Sequence, residues 1–368
     1  MFVAISNGAI ALAAIILIAA TLSDVFQSVI VPRAVGRRLR LSSYFWKSMW
    51  WLWPRLAWRL YPNDEEHRED LLALFAPATL ILMLTFWILL LVFAYGGLFW
   101  AMREQMRPSL HTYWAAVYYA GASFTTIGYG DIVARTGLAR AVSLCAGASG
   151  LGVVSITTAY LFALFGTFQT REQFVVMVGA RAGSPPSGVG MVTIAGFADN
   201  RDDLASTLRD GQRWIASVIE SHLAYPALAY FRSSHDYESW IGTLGTLLDA
   251  SVLLTTTVRD ATGEARITYT LGRHAAHDLA KYFLQDNAEN TPGIERGEFD
   301  RACERLTDAG FALHERDQAW ERFSKLRSTY AHDLNALARA FQIPPLQWVG
   351  DRTLIAPLTV HPIRKSAP

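Results

Sequence analysis

Residues 125–131 read Thr125-Thr126-Ile127-Gly128-Tyr129-Gly130-Asp131. No charged side chain precedes Asp131 in this run, so ion chemistry within 125–130 belongs to the main chain and the threonine hydroxyls. Gly128 and Gly130 permit backbone angles that L-residues resist. Thr126 offers both a hydroxyl and a carbonyl. With the side chains of Ile127 and Tyr129 turned into the protein, their carbonyls face the opposite way. When four copies of such a loop surround one axis, their carbonyl oxygens replace the hydration shell of K⁺. The ion ligands read from the sequence are the carbonyls of Thr126, Ile127, Gly128 and Tyr129, with the Thr126 hydroxyl added. Asp131 marks the outer mouth, where it can hydrogen-bond behind the loop.

Such a loop has to be carried by membrane segments. The chain has 368 residues, 52% hydrophobic and 18% charged, with a mean hydropathy of +0.19, more apolar than a soluble enzyme of this size. Its apolar residues concentrate in 1–31, 71–100 and 138–168, each long enough to cross ~30 Å of hydrocarbon. Residues 1–31 lack a basic start and a small-residue cleavage site, and read as a retained helix rather than a signal peptide. Residues 112–124 are too few to span and predict a re-entrant helix. Such a helix is tolerated only when buried in protein or lining water, which calls for an oligomer. Its C-terminal dipole would favour a cation at the centre. The fold class expected is mainly α: three transmembrane helices, one re-entrant pore helix with its filter loop, and a mostly helical cytoplasmic domain.

Charge sets the orientation. Arg33, Arg37, Arg38, Arg40, Lys47, Arg55, Arg59 and Arg68 crowd the segment 32–70, which places it in the cytoplasm. The N-terminus is then outside, the loop opens outward, and everything after 168 is cytoplasmic. Tyr44, Phe45, Trp46, Trp50, Trp51, Trp53, Trp58 and Tyr61 interleave with Lys47, Arg55 and Arg59, a mixture suited to the headgroup layer. The expectation is an interfacial helix broken near Pro54, in contact with membrane lipids. Asp24, near the inner end of the first helix, is either functional or an anchor that reaches headgroups or Arg33. No apolar helix carries arginines at every third position, so a voltage sensor is not expected.

The stretch from Tyr118-Tyr119 through Asp131 resembles the pore helix and selectivity filter of tetrameric potassium channels. Many members carry two adjacent tryptophans where this chain has Tyr118 and Tyr119, and some carry a buried glutamate where it has Ala122. The resemblance implies passive K⁺ conduction by a homotetramer, with K⁺ as the permeant ion, no cofactor and no catalysis. It implies filter support from Thr125, Tyr118, Tyr119, Gly130 and Asp131, and a glycine hinge about twenty residues on, where Gly150 stands. Gly147 and Gly152 flank it, and glycines there equally allow close helix packing. In the inner helix 138–168, Val154, Thr158 and Phe162 share one face. They either line the cavity, with Phe162 as a dewetting gate, or pack on helix 71–100. The run Asp24-Val25-Phe26 through Val31-Pro32-Arg33 is similar to one in bacterial ion-channel proteins with an extra N-terminal helix, which implies a bacterial inner membrane. The rival functions are a nonselective cation channel, a K⁺ transporter subunit, and a membrane-anchored sensor.

The remainder is less specific. Domains are expected at 1–31, 32–70, 71–170, a linker 171–200 rich in glycine and proline, a helical domain 201–342, and a tail 343–368. Helical segments are expected near 202–232, 235–257, 270–287, 296–312 and 316–342, with a small hairpin around Arg266 to Thr270. No Gly-x-Gly-x-x-Gly or calcium loop is present, nor any nucleic-acid motif, so a regulatory ligand of the cytoplasmic domain stays unidentified. His274, His277 and Asp278 could share a face, with His314 and His332 elsewhere; a surface role is preferred to a metal site. His222 and His235 read as packing residues. The dense alternating charge of 296–342 reads as a solvated face or as an assembly surface beneath the pore. Cys145 and Cys303 suggest no disulfide framework.

Overall fold

A computed structural model describes residues 2–30, 41–183, 185–233, 238–259, 263–284, 294–343 and 348. It is built almost wholly of helices: α1 (Phe2–Val29), α2 (Leu41–Leu60), α3 (Glu65–Ala73), α4 (Phe75–Ala101), α5 (Tyr113–Phe124), α6 (Gly137–Ala182), α7 (Gly188–Phe197), α8 (Arg201–Ala224), α9 (Trp240–Thr257), α10 (Gly263–Leu284), α11 (Arg296–Asp308) and α12 (Arg316–Ala340). Two strands of two residues each, β1 (Met106–Arg107) and β2 (Val133–Ala134), pair antiparallel. The chain divides into two compact units at Phe165 and Gly166, a point inside α6.

Among the described residues three helical stretches are long and apolar enough to cross a membrane: Asn7–Val29 and Glu65–Ala101 in the first unit, and Gly137–Ala182, which runs from the first unit into the second. The core of the first unit lies along α4. Met83, Trp87, Leu91, Tyr95 and Phe99 are buried at four-residue spacing, which places them on one helix face. The opposite faces carry exposed Ile81, Leu82 and Leu89, as a lipid-facing helix requires. Asp24 is buried. Its carboxylate accepts hydrogen bonds from the Ser42 amide (3.0 Å) and hydroxyl (3.0 Å) and from the Trp87 indole (2.8 Å). It thereby ties α1 to α4 and caps the amide end of α2. Arg33, the expected partner, lies outside the described residues.

Several expectations need correction. Helix α2 runs unbroken through Pro54. The inner helix does not stop at 168 but continues to Ala182, and the expected linker 171–200 is mostly helical. Its Gly188–Phe197 part is α7, opened by Ser187, whose hydroxyl accepts from the Gly190 amide at 3.0 Å. Of the glycines and prolines that suggested a linker, Gly183, Pro185 and Pro186 stand at the joint between α6 and α7, whereas Gly179 lies within α6 and Gly188 and Gly190 within α7. The β-branched run Arg266 to Thr270 lies inside α10, not in a hairpin; burial of Ala265, Thr268 and Gly272 against the bundle overrides its strand propensity. Most of the tail 343–368, and His235, lie outside the described residues.

In the second unit α9 is central, with nearly every residue buried. Its helices share one apolar core, to which the end of α6 contributes Phe174, Val175, Val178 and Ala182. Among the described residues Arg171, Asp249, Glu298 and Arg327 are charged side chains buried in this unit. Asp249 accepts from the Tyr330 hydroxyl (2.5 Å) and lies 3.4 Å from the Arg327 guanidinium. Arg171 donates to the carbonyls of Leu228 (2.9 Å) and Phe231 (2.8 Å) and pairs with Glu172 (2.9 Å).

Candidate functional site: the 125–131 loop and its supports

Helix α5 begins where the Thr112 hydroxyl accepts from the Ala115 amide (3.2 Å), and it ends at Phe124. Beyond it the chain folds back on the helix's last carbonyls. The Thr125 amide (2.9 Å) and hydroxyl (2.8 Å) both donate to Gly121, the Thr126 amide donates to Ser123 (3.1 Å), and the amides of Ile127 (3.0 Å) and Gly128 (3.3 Å) share the Ala122 carbonyl. The inner half of the loop is thus fixed by main-chain bonds. Ala122, which has no polar side chain, contributes through its carbonyl.

The backbone alternates. Thr126 (φ 58°), Gly128 (φ 60°) and Gly130 (φ 81°) are left-handed, whereas Ile127 and Tyr129 are not. Left- and right-handed residues in alternation turn successive peptide groups the same way, gathering amides on one side and carbonyls on the other. Sequence reasoning assigned the left-handed conformation to the two glycines and missed Thr126, a β-branched residue for which positive φ is unusual.

Around the loop, Tyr118 stacks on Tyr129, with ring centroids 6.3 Å apart and planes within 6°. The carboxylate of Asp131 is close enough to interact with the Tyr118 hydroxyl. Tyr119 meets Phe99 edge-on at 4.8 Å, and its hydroxyl lies 2.8 Å from that of Ser143 on α6. The Tyr95 hydroxyl lies 2.8 Å from that of Ser149, also on α6. Ile127 and Tyr129, expected to turn into the protein, are 55% and 68% exposed in the single chain. One copy of the chain does not cover them.

A support that the sequence did not reveal closes the base of the loop. Strands β1 and β2 pair the chain before α5 with the chain after Asp131. The Arg135 amide donates to the Gln105 carbonyl (2.8 Å), and the Thr136 hydroxyl donates to the Gln105 side chain (2.5 Å). Two-residue strands carry too little alternation to be read from sequence.

On α6, Gly150 is buried against the end of α5. A Cβ there would stand 1.8 Å from the Phe124 carbonyl oxygen. Close approach requires this glycine, and α6 is helical through it. Ala139, Ala146, Val153 and Thr157 are buried, whereas Val154, Thr158 and Phe162 (77%) are exposed. Within one chain these three residues do not pack on α4.

In the second unit, His274 pairs with Asp278 (3.2 Å) and His277 with Asp333 (3.3 Å), and among the described residues no group of three or more His, Cys, Asp or Glu could hold a metal. Burial and the neighbouring Arg171 guanidinium push the pKa of His222 down to about 3. The Val218 carbonyl 2.8 Å from its Nδ1 can only accept, so Nδ1 carries the proton. Nε2 then faces Arg171 Nη1 at 3.4 Å as an acceptor.

Residues 87–166, from α4 through α5 and the loop into α6, match the family model described as ion channel. No curated protein and no solved structure matches the chain. The chain carries an ion-channel domain, in a mainly α membrane protein.

Proposed function

We propose that this chain is the subunit of a homotetrameric, potassium-selective channel that conducts K⁺ passively and performs no chemical step. The observation that carries the reading is the alternation of handedness at 126–130. It supports a row of carbonyls from Thr126, Ile127, Gly128 and Tyr129 as the ion ligands, without a ring of charged side chains. The exposure of Ile127 and Tyr129 in one chain supports burial by neighbouring copies. In this reading Tyr118, Tyr119, Thr125, Gly130 and Asp131 hold the filter. Val154, Thr158 and Phe162 line the cavity below it, Phe162 forms a hydrophobic constriction, and Gly150 is the point about which α6 moves against α5. The basic segment 32–70 favours a cytoplasmic placement for it and for the second unit, in the inner membrane of a bacterium, with the second unit acting on the gate.

The test is the reversal potential of the purified full chain in planar bilayers under opposed K⁺ and Na⁺ gradients, with Gly128→Ala beside it. The expected potential lies near the K⁺ equilibrium value and is lost in the variant, because alanine at φ 60° is strained. Robust current reversing near zero would replace this reading with a nonselective cation channel.

A further inference from the structure

Helix α2 has two distinct faces. Inward, Trp46, Trp50 and Trp53 grip Phe75, the first residue of α4, with ring centroids 5.7, 4.8 and 5.8 Å away. At its start Ser42 is bound to Asp24 near the end of α1, and the Ser28 and Ser42 hydroxyls lie 2.8 Å apart. So α2 is fastened to the ends of two membrane-spanning helices on the same side, at the boundary where both leave the apolar layer. Outward, Trp51 is 61% exposed and Trp58 51%. Indoles left open at a membrane boundary suit the headgroup layer.

The charge on that face has one sign. Lys47, Arg55 and Arg59 are exposed, and 41–60 contains no acidic residue. Arg55 and Arg59 stand one turn apart on the outer surface, with Trp51 one turn before them. The Arg55 guanidinium lies over the Trp51 ring at 4.1 Å, and Arg68 covers the Trp58 ring at 3.9 Å. Each exposed indole therefore has a cation held at its surface, an apolar body with a positive cover. Acidic residues resume only at Asp64, Glu65 and Glu66, beyond the end of α2.

We propose that the outer face of α2 is a docking surface for anionic phospholipid headgroups, in which Lys47, Arg55 and Arg59 take the phosphate and Trp51 and Trp58 seat at the headgroup level. A guanidinium presents several N–H donors in a fork that matches phosphate oxygens. Three cations near an anionic lipid surface contribute about fivefold in affinity each. Through the Phe75 contact the bound lipid acts directly on the first turn of the helix that leads to the pore.

The experiment uses the full chain in neutral detergent, titrated with short-chain phosphatidylglycerol, short-chain phosphatidylcholine or inorganic phosphate, and reads tryptophan fluorescence and the thermal midpoint. The expected result is saturable binding of phosphatidylglycerol that weakens with added salt, little response to phosphatidylcholine, and none to inorganic phosphate. The triple variant Lys47→Gln, Arg55→Gln, Arg59→Gln loses on the order of a hundredfold in affinity while keeping its lipid-free melting temperature. Arg55→Lys with Arg59→Lys keeps the charge but loses the forks, so it binds more tightly than the triple variant and more weakly than the wild type. Equal responses to both lipids, an equal response to phosphate alone, or full binding by the triple variant would each overturn the proposal. If the triple variant does not fold, loss of the wild-type response at high salt decides, and its persistence there overturns the proposal. The readout is independent of conduction, so its failure leaves the pore reading untouched.

Discussion

The 125–131 loop and the second unit solve the problem of buried polarity in opposite ways. Around the loop the polar groups that matter are main-chain amides, and main-chain carbonyls at the end of α5 fix them. In the second unit the buried polar groups are side chains, Arg171, His222 and Asp249, each held by partners far away in sequence. A backbone site tolerates changes in side-chain identity wherever handedness is kept. A buried guanidinium tolerates almost none, because removing one member strands the rest without water. Changes in the loop should therefore cost function while the chain stays folded, and changes at these side chains should cost the second unit its fold.

The largest effect expected is in the second unit. Arg171→Met leaves the carbonyls of Leu228 and Phe231 and the Glu172 carboxylate without their donor, at a cost of about 3–5 kcal/mol. Denaturant unfolding followed by Trp214 and Trp240 fluorescence should show it, with ion selectivity unchanged. An unaltered midpoint would erase the contrast between the units. Acid is next. His222 is neutral in the folded unit and protonates when unfolded, so this contribution to stability is complete above pH 6.5 and is lost as the pH falls toward about 3. Stability should fall by about 1 kcal/mol for each pH unit below 6.5, and His222→Gln should flatten that dependence. Gly150→Ala then probes the pore unit: relieving the clash with Phe124 costs about 1–3 kcal/mol, seen as a lowered thermal midpoint of the purified chain. The smallest effect is Tyr119→Phe, which removes one hydroxyl bond worth about 1 kcal/mol. In a double-mutant cycle Ser143→Ala should add little to it, and full additivity would deny the bond.

The same contrast explains what could be read in advance. The loop was legible because its chemistry is local: Gly128 and Gly130 announce their own backbone angles, and apolar runs announce the helices around them. Thr126 was not, since the turn back onto Ala122 and Ser123 forces its conformation, not any property of threonine. The Arg171 cluster was hidden because, apart from the adjacent Glu172, its partners His222, Leu228 and Phe231 lie more than fifty residues away. The end of α6 was misread as linker for a related reason. Phe174, Val175, Val178 and Ala182 form an amphipathic stripe, but Gly179, Gly183, Pro185 and Pro186 punctuate the same stretch. Only the packing of that stripe into the second unit shows which signal wins. Pro54 misled in the opposite direction: the aromatic grip of α2 on Phe75 outweighs the hydrogen bond that the proline removes.

Helix α6 has a practical bearing on how this molecule can be cut and rejoined. The boundary between the compact units falls at Gly166, yet the helix continues, and its last turns are core material for the second unit. A chimaera that grafts the second unit onto another membrane protein must carry Arg171–Ala182 along with it. A splice at the visible end of the helix would give the recipient a domain missing its keystone, and would leave the donor with an oily stub in water.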